Sequence, residues 1–202
     1  DRVFYWGNSG GMSLYWMSTP YENEFGDWFD NELTSGSDLS LNPCDSLQIT
    51  LNHKKDFDVI NQLYGVERDD AYKRIAISNI RSNPYKYFKN CIYNTSRLLL
   101  HFPFSYKDKS FFRLFMIPPN AIILTLMIFC FILTLINWII IPYYIRFLLG
   151  LLFFYLGGSI LLSAYSRQFY VIVPILLFWF SYTFEKSIKF KKGAKVFFGL
   201  PK

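Results

Sequence analysis

Near the C-terminal end of this 202-residue chain, three stretches carry no charged residue, and they restrict its fold more than any other feature. Residues 121–141 read AIILTLMIFCFILTLINWIII, residues 147–165 read FLLGLLFFYLGGSILLSAY, and residues 169–184 read FYVIVPILLFWFSYTF. As a helix the first rises about 31 Å, enough to cross a hydrocarbon core of about 30 Å. The second is nearly as long. The third has 16 residues. It needs Arg167 and Lys186 to snorkel at its ends, or it is a buried or re-entrant helix. Pro174 within it is tolerated in a span when neighbours satisfy the freed carbonyl. Gly157, Gly158 and Ser159 give the second run a small-residue patch suited to close helix packing. Only short breaks separate the runs, residues 142–146 and 166–168. Hairpins this tight make neighbouring helices antiparallel. Trp138, Tyr143, Tyr144, Tyr165 and Tyr170 cluster at the breaks, as in an interfacial aromatic belt.

The charges divide the chain at the same place. Residues 1–118 hold 14 acids and 13 bases, whereas residues 119–202 hold one acid, Glu185, and eight bases. A pI near 9.1 raises the question of nucleic acid. These bases flank apolar runs, however, so a lipid bilayer is the expected partner and nucleic acid is not. The tail from residue 186 to 202 contains six lysines and no acid. Lysines beside a span are retained on the cytoplasmic side. Three crossings then place residues 1–118 outside the cell (plasma or inner) membrane and residues 186–202 inside, as a basic cytoplasmic tail.

The expected fold is therefore membrane α-helical. Three transmembrane helices, at about 121–141, 147–165 and 169–184, follow a small mixed α/β extracytoplasmic domain of residues 1–118. Within that domain Val3–Trp6 and Met12–Trp16 read as short strands around a Gly10-Gly11 turn. Residues 22–66 read as irregular, with Gly36 and Pro43 as breakers. Seven acids between Glu22 and Asp45 meet no Lys or Arg there. They make a solvated loop, or less readily a calcium site, although the spacing is not that of an EF-hand. Residues 68–102 read as an amphipathic helix pair. Asp69 or Asp70 caps the first helix, and Asn83-Pro84 is an N-cap followed by proline at the first helical position. In the second helix Tyr85, Phe88, Ile92 and Leu99 share one face, with Lys86, Lys89, Asn90 and Arg97 opposite. The pair either lies against the bilayer or bundle, or shows a basic face to water.

Three segments resemble one enzyme group. Gly10, Gly11, Leu14 and Tyr15, followed by Ser18, Thr19 and Pro20, are similar to the loop that follows a span in GT-C glycosyltransferases. The subset meant is the aminoarabinose transferases and protein O-mannosyltransferase-like enzymes. Glu67, Arg68, Ala76, Asn83, Pro84 and Tyr87 resemble the helical segment of the same group. Residues 166–170 with Pro174 resemble its late Arg-Tyr-x-x-Pro step. The resemblance covers about a third of the chain, in the family's order. It implies the C-terminal region of an integral membrane glycosyltransferase that takes its sugar from a polyprenyl-phosphate donor at the outer face. It also implies that the catalytic carboxylates lie upstream, in a missing N-terminal transmembrane region. The alternative is a non-catalytic, membrane-anchored module for extracytoplasmic binding or envelope assembly.

Within that reading Arg167 is the first candidate for substrate binding, with Tyr165 and Tyr170 beside it. A guanidinium stays charged and grips phosphate oxygens bidentately. The competing role is an interfacial arginine that snorkels to lipid headgroups. No catalytic residue is identified. The chain has no phosphate loop, CxxC or HExxH, so neither a cofactor nor a metal is expected. His53 and His101 stand far apart. Cys130 reads as packing, and Cys44 and Cys91 could pair. Asn94-Thr95-Ser96 is a glycosylation sequon set on a helix.

Overall fold

The computed structural model describes residues 10–29, 43–100, 114–115, 117–139, 141–163, 166–189 and 197–198. Among these residues four helices form the N-terminal part: α1 (Gly10–Met17), α2 (Pro43–Ile60), α3 (Gly65–Ser82) and α4 (Pro84–Leu100). Four more follow: α5 (Ile117–Ile136), α6 (Tyr143–Leu161), α7 (Ser166–Tyr170) and α8 (Val173–Ser187). The tail adds a two-residue antiparallel pair, β1 (Ile188–Lys189) with β2 (Phe197–Phe198).

The mixed α/β expectation for the N-terminal part is wrong, since its described residues form helices and no strand. Met12–Trp16 is helical. Met12, Tyr15 and Trp16, at helical spacing, are all buried. Gly10-Gly11 opens this helix instead of turning a hairpin. The Gly11 N–H donates to Asp69 Oδ1 at 2.8 Å, so a carboxylate of α3 satisfies a donor at the start of α1 and favours its positive end. A β-carbon on Gly11 would stand 2.1 Å from the Asp69 carbonyl oxygen, so only glycine permits this approach. The strand expected at Val3–Trp6 lies outside the described residues.

The segment read as irregular contains the 18-residue helix α2. Ile49, His53, Phe57 and Ile60 recur at a helical period, and all four are buried. A histidine within that apolar stripe disguised it. Pro43 is the first residue of α2, where its missing N–H costs nothing. Asn83 is the single residue between α3 and α4.

The expectation of three spans is also corrected. Among the described residues two helices are long and apolar enough to cross a membrane: α5, with 20 residues and mean hydropathy 2.4, and α6, with 19 residues and mean hydropathy 1.7. Only 22% of either apolar window is buried. A soluble core helix would hide most of its apolar surface, whereas Ile128, Ile132 and Phe154 face outward here. The third run is divided into α7, a turn at residues 171–172, and α8. With 15 residues, α8 is about 22 Å long, short of the ~30 Å core. Pro174 stands in its first turn, where a missing N–H is harmless. α8 packs inward, burying Leu176 and Trp179, and Trp179 Nε1 donates to Thr134 Oγ1 on α5 at 2.9 Å. With two helices of spanning length among the described residues, the parity that set residues 1–118 and the tail on opposite sides no longer follows.

Two apolar cores result. One gathers Tyr15, Trp16, Ile49, Phe57, Ile60 and Tyr72 from α1, α2 and α3. The other gathers Met127, Leu149, Leu152, Ile172, Leu176 and Trp179 from α5, α6, α8 and the turn before α8. Leu98 of α4 belongs to the second core, so α4 joins the two parts.

Candidate functional site

Arg167 lies in the backbone of α7, and its side chain is outside the described residues, as is Tyr165. Tyr170 ends α7 and is half exposed. Between this segment and α6 runs a groove of about 530 Å³, a size typical of small-molecule and lipid sites. α6 contributes Leu151, Tyr155, Gly158 and Ser159, and the facing wall is Gln168, Val171, Ile172 and Ile175. Gly158 keeps the groove open, since a β-carbon built there would meet nothing within 4 Å. The lining carries no charge and few polar groups. The Tyr155 hydroxyl donates to the Gln168 carbonyl at 3.2 Å, and Gln168 Oε1 is buried without a hydrogen-bond partner. The groove is thus an apolar trough with a carboxamide at the α7 end, one residue from Arg167.

A second polar constellation, not foreseen from the sequence, is buried at its centre, at Tyr15, His53 and Glu24, with Asn52 and Asp56 half-buried at its edge. The Tyr15 hydroxyl donates to Asp56 Oδ2 at 2.8 Å and lies 2.5 Å from His53 Nδ1. His53 Nε2 is 2.9 Å from Glu24 Oε2. Glu24 also accepts from the Thr19 hydroxyl and from Asn52 Nδ2. Burial works against the Glu24 carboxylate. The hydrogen bond and charge of His53, with help from Asn52 and Thr19, overcome it and hold the group below its ordinary value. Burial, reinforced by Asp56, pushes the Tyr15 phenol well above its usual range. Such a phenol is a poor nucleophile, and Trp16, Phe57 and Tyr72 crowd the cluster. Tyr15, His53 and Glu24, each almost fully buried, therefore tie α1, α2 and the residue 19–24 turn together as an internal clamp.

The clamp continues into a seam between the two parts of the chain. Lys86 Nζ donates to the Glu24 carbonyl at 2.5 Å and to Asn90 Oδ1 at 2.9 Å. Burial lowers the Lys86 ammonium. Asn90 Nδ2 donates to the carbonyls of Met17 and Thr19. Arg97 donates to the carbonyls of Phe25 at 2.7 Å and Gly26 at 3.0 Å, and pairs with Asp27 at 3.3 Å. Gly26 holds a φ of 71°, which glycine adopts freely. Its carbonyl also accepts from Ser163 Oγ at 2.9 Å. Asn94 Nδ2 reaches the carbonyls of Ser159, Ile160 and Leu162 at the end of α6. One turn-rich strip, residues 17–27, is thereby tied to α4 and to the end of α6. The sequence signal is the polar residues 86, 90, 94 and 97, one stripe at helical spacing; the expected polar face of Lys86, Lys89, Asn90 and Arg97 contains three of them and omits Asn94.

Other sequence candidates fall away or stand apart. Cys44 is exposed, Cys91 is buried, and both are free thiols. His101 lies outside the described residues. Among the described residues no three of His, Cys, Asp or Glu are grouped to hold a metal. Asn94 is buried, with its amide committed to α6, so the sequon offers no acceptor. No family model, curated protein or solved structure matches the chain.

Proposed function

We propose that this chain is the C-terminal region of an integral membrane glycosyltransferase that uses a polyprenyl-phosphate-linked sugar at the outer face of the cell membrane. The observation that carries this reading is the groove between α6 and the 166–175 segment. It is apolar enough for an isoprenoid chain. It ends at the short helix containing Arg167, whose guanidinium can grip a phosphate. The residues behind the GT-C resemblance also share one scaffold. Gly11 meets Asp69 beside Glu67 and Arg68, and the Tyr87 hydroxyl donates to the Leu161 carbonyl at the end of α6 at 2.8 Å. No catalytic step is assigned to the described residues. The internal clamp equally suits a non-catalytic envelope-assembly module, which would use the same scaffold without a donor. Binding of a polyprenyl-phosphate donor separates the two, and Arg167→Lys tests the residue that would hold it. The substitution keeps the charge and loses the planar fork, so donor affinity should fall by about 1–3 kcal/mol, the scale of a charge-assisted hydrogen bond. Unchanged affinity with normal insertion would return Arg167 to headgroup anchoring.

A further inference from the structure

α4 is amphipathic in the reverse of the ordinary sense. Its polar side chains Lys86, Asn90, Asn94 and Arg97 are all buried. Its apolar stripe faces out, with Tyr85 77%, Phe88 63% and Ile92 53% exposed. The polar face is turned inward because it supplies donors to the seam. That inward turn leaves the aromatic and branched residues with no protein cover among the described residues.

The depth of this stripe is fixed by α6. The last carbonyls of a membrane helix have no intrahelical donor and, in lipid, no water. α4 supplies those donors, from Asn94 to Ser159, Ile160 and Leu162 and from Tyr87 to Leu161. α4 therefore crosses the chain where α6 leaves the hydrocarbon. Leu161 and Leu162 are themselves exposed there, so the apolar surface of α6 continues beside Tyr87 onto α4. At the edge of the stripe Lys89 is paired with Glu22 at 3.0 Å.

We infer that α4 is an in-plane membrane anchor, with Tyr85, Phe88 and Ile92 set in the boundary between headgroups and acyl chains. Helices with one apolar face insert it about 5–10 Å into that boundary, and aromatic residues favour the same level. The inference rests on the membrane reading of α5 and α6, but not on the identity of any sugar donor. The anchor would hold the residue 17–27 seam at a set height above the bilayer.

The test is site-directed spin labelling of the whole chain in phospholipid vesicles, with Cys44→Ser removing the exposed native thiol. Labels at positions 85, 88 and 92 should collide more with oxygen than with a polar nickel chelate. A label at Tyr64, exposed beyond the end of α2, should show the reverse, and labels at Ile128 and Ile132 on α5 should read as lipid. If 128 and 132 are in lipid while 85, 88 and 92 meet the nickel chelate, the anchor is refuted and the membrane reading survives. If 128 and 132 also meet the chelate, both fail. If 85, 88 and 92 are shielded from both reagents, protein covers the stripe and the anchor is refuted.

Discussion

Replacing Arg97 by methionine tests the seam most sharply. Methionine keeps the aliphatic bulk and removes the charge. The Arg97–Asp27 pair is deeply buried, with side chains 6% and 1% exposed. Breaking a buried pair from one side costs about 3–5 kcal/mol. The Phe25 carbonyl also loses a 2.7 Å hydrogen bond, whereas the Gly26 carbonyl keeps Ser163. For a chain of 150–250 residues each kcal/mol moves the melting point by about 2–4 °C, so the drop should be about 6–20 °C. Trp16 and Trp28 are near enough to report the melt by fluorescence in detergent micelles. Adding Asp27→Leu removes the other charge of the pair. The double variant should then recover part of that loss, keeping a deficit of about 1–3 kcal/mol for the lost Arg97 hydrogen bond. A single variant melting within about 2 °C of the parent would show that the pair holds nothing together. A double variant no better than the single would show that charge is not the reason.

Gly11→Ala should lower the melting point clearly, since its β-carbon would meet Asp69 backbone at 2.1 Å, while Gly10→Ala, with nothing within 4 Å, should leave it unchanged or slightly raised; equal melts for the two would refute the close approach. The Glu24 carboxyl lies below its ordinary 4.5 in the folded chain. Its stabilisation is therefore present above pH 4.5 and is lost as pH falls through the lowered folded value. Melts from pH 7 to 3 should fall less steeply for Glu24→Gln than for the parent; parallel curves would contradict the clamp. Thr134→Val removes the acceptor of Trp179 and should cost about 0.6 kcal/mol, the average for such bonds between membrane helices, read as loss of α8 packing by thiol accessibility at position 176.

The parts of the fold that can be read from the sequence are those with local signals. Charge-free length marks the two helices long enough to cross a membrane, though it suggests a third, and Pro84 at a helix start needs no tertiary information. The misreadings share a physical cause, which is that tertiary contacts gave polar residues buried roles. His53 in α2 looks like a break in an apolar stripe until Glu24 and Tyr15 are seen to satisfy it. Lys86, Asn90, Asn94 and Arg97 look like a wetted face until the carbonyls of residues 17–26 and of α6 are placed against them. Gly10-Gly11 looks like a turn because glycine signals both a bend and a close approach, and only the position of Asp69 decides which. The third apolar run shows the limit of counting, since 16 uncharged residues do not reveal that the helix stops at residue 170 and restarts at Val173. Of the candidate site, residue types single out Arg167, whose side chain lies outside the described residues, while the groove depends on how α6 faces Ile172 and Ile175.

The most direct test of the central proposal is photo-crosslinking of the chain in vesicles with a polyprenyl phosphate that carries a diazirine on its chain, followed by peptide mapping. The account predicts adducts on residues 151–159 and 168–175, competed by unlabelled polyprenyl phosphate and lost in Gly158→Leu, which fills the groove. Adducts spread over the exposed faces of α5 and α6, insensitive to competitor and to Gly158→Leu, would contradict it.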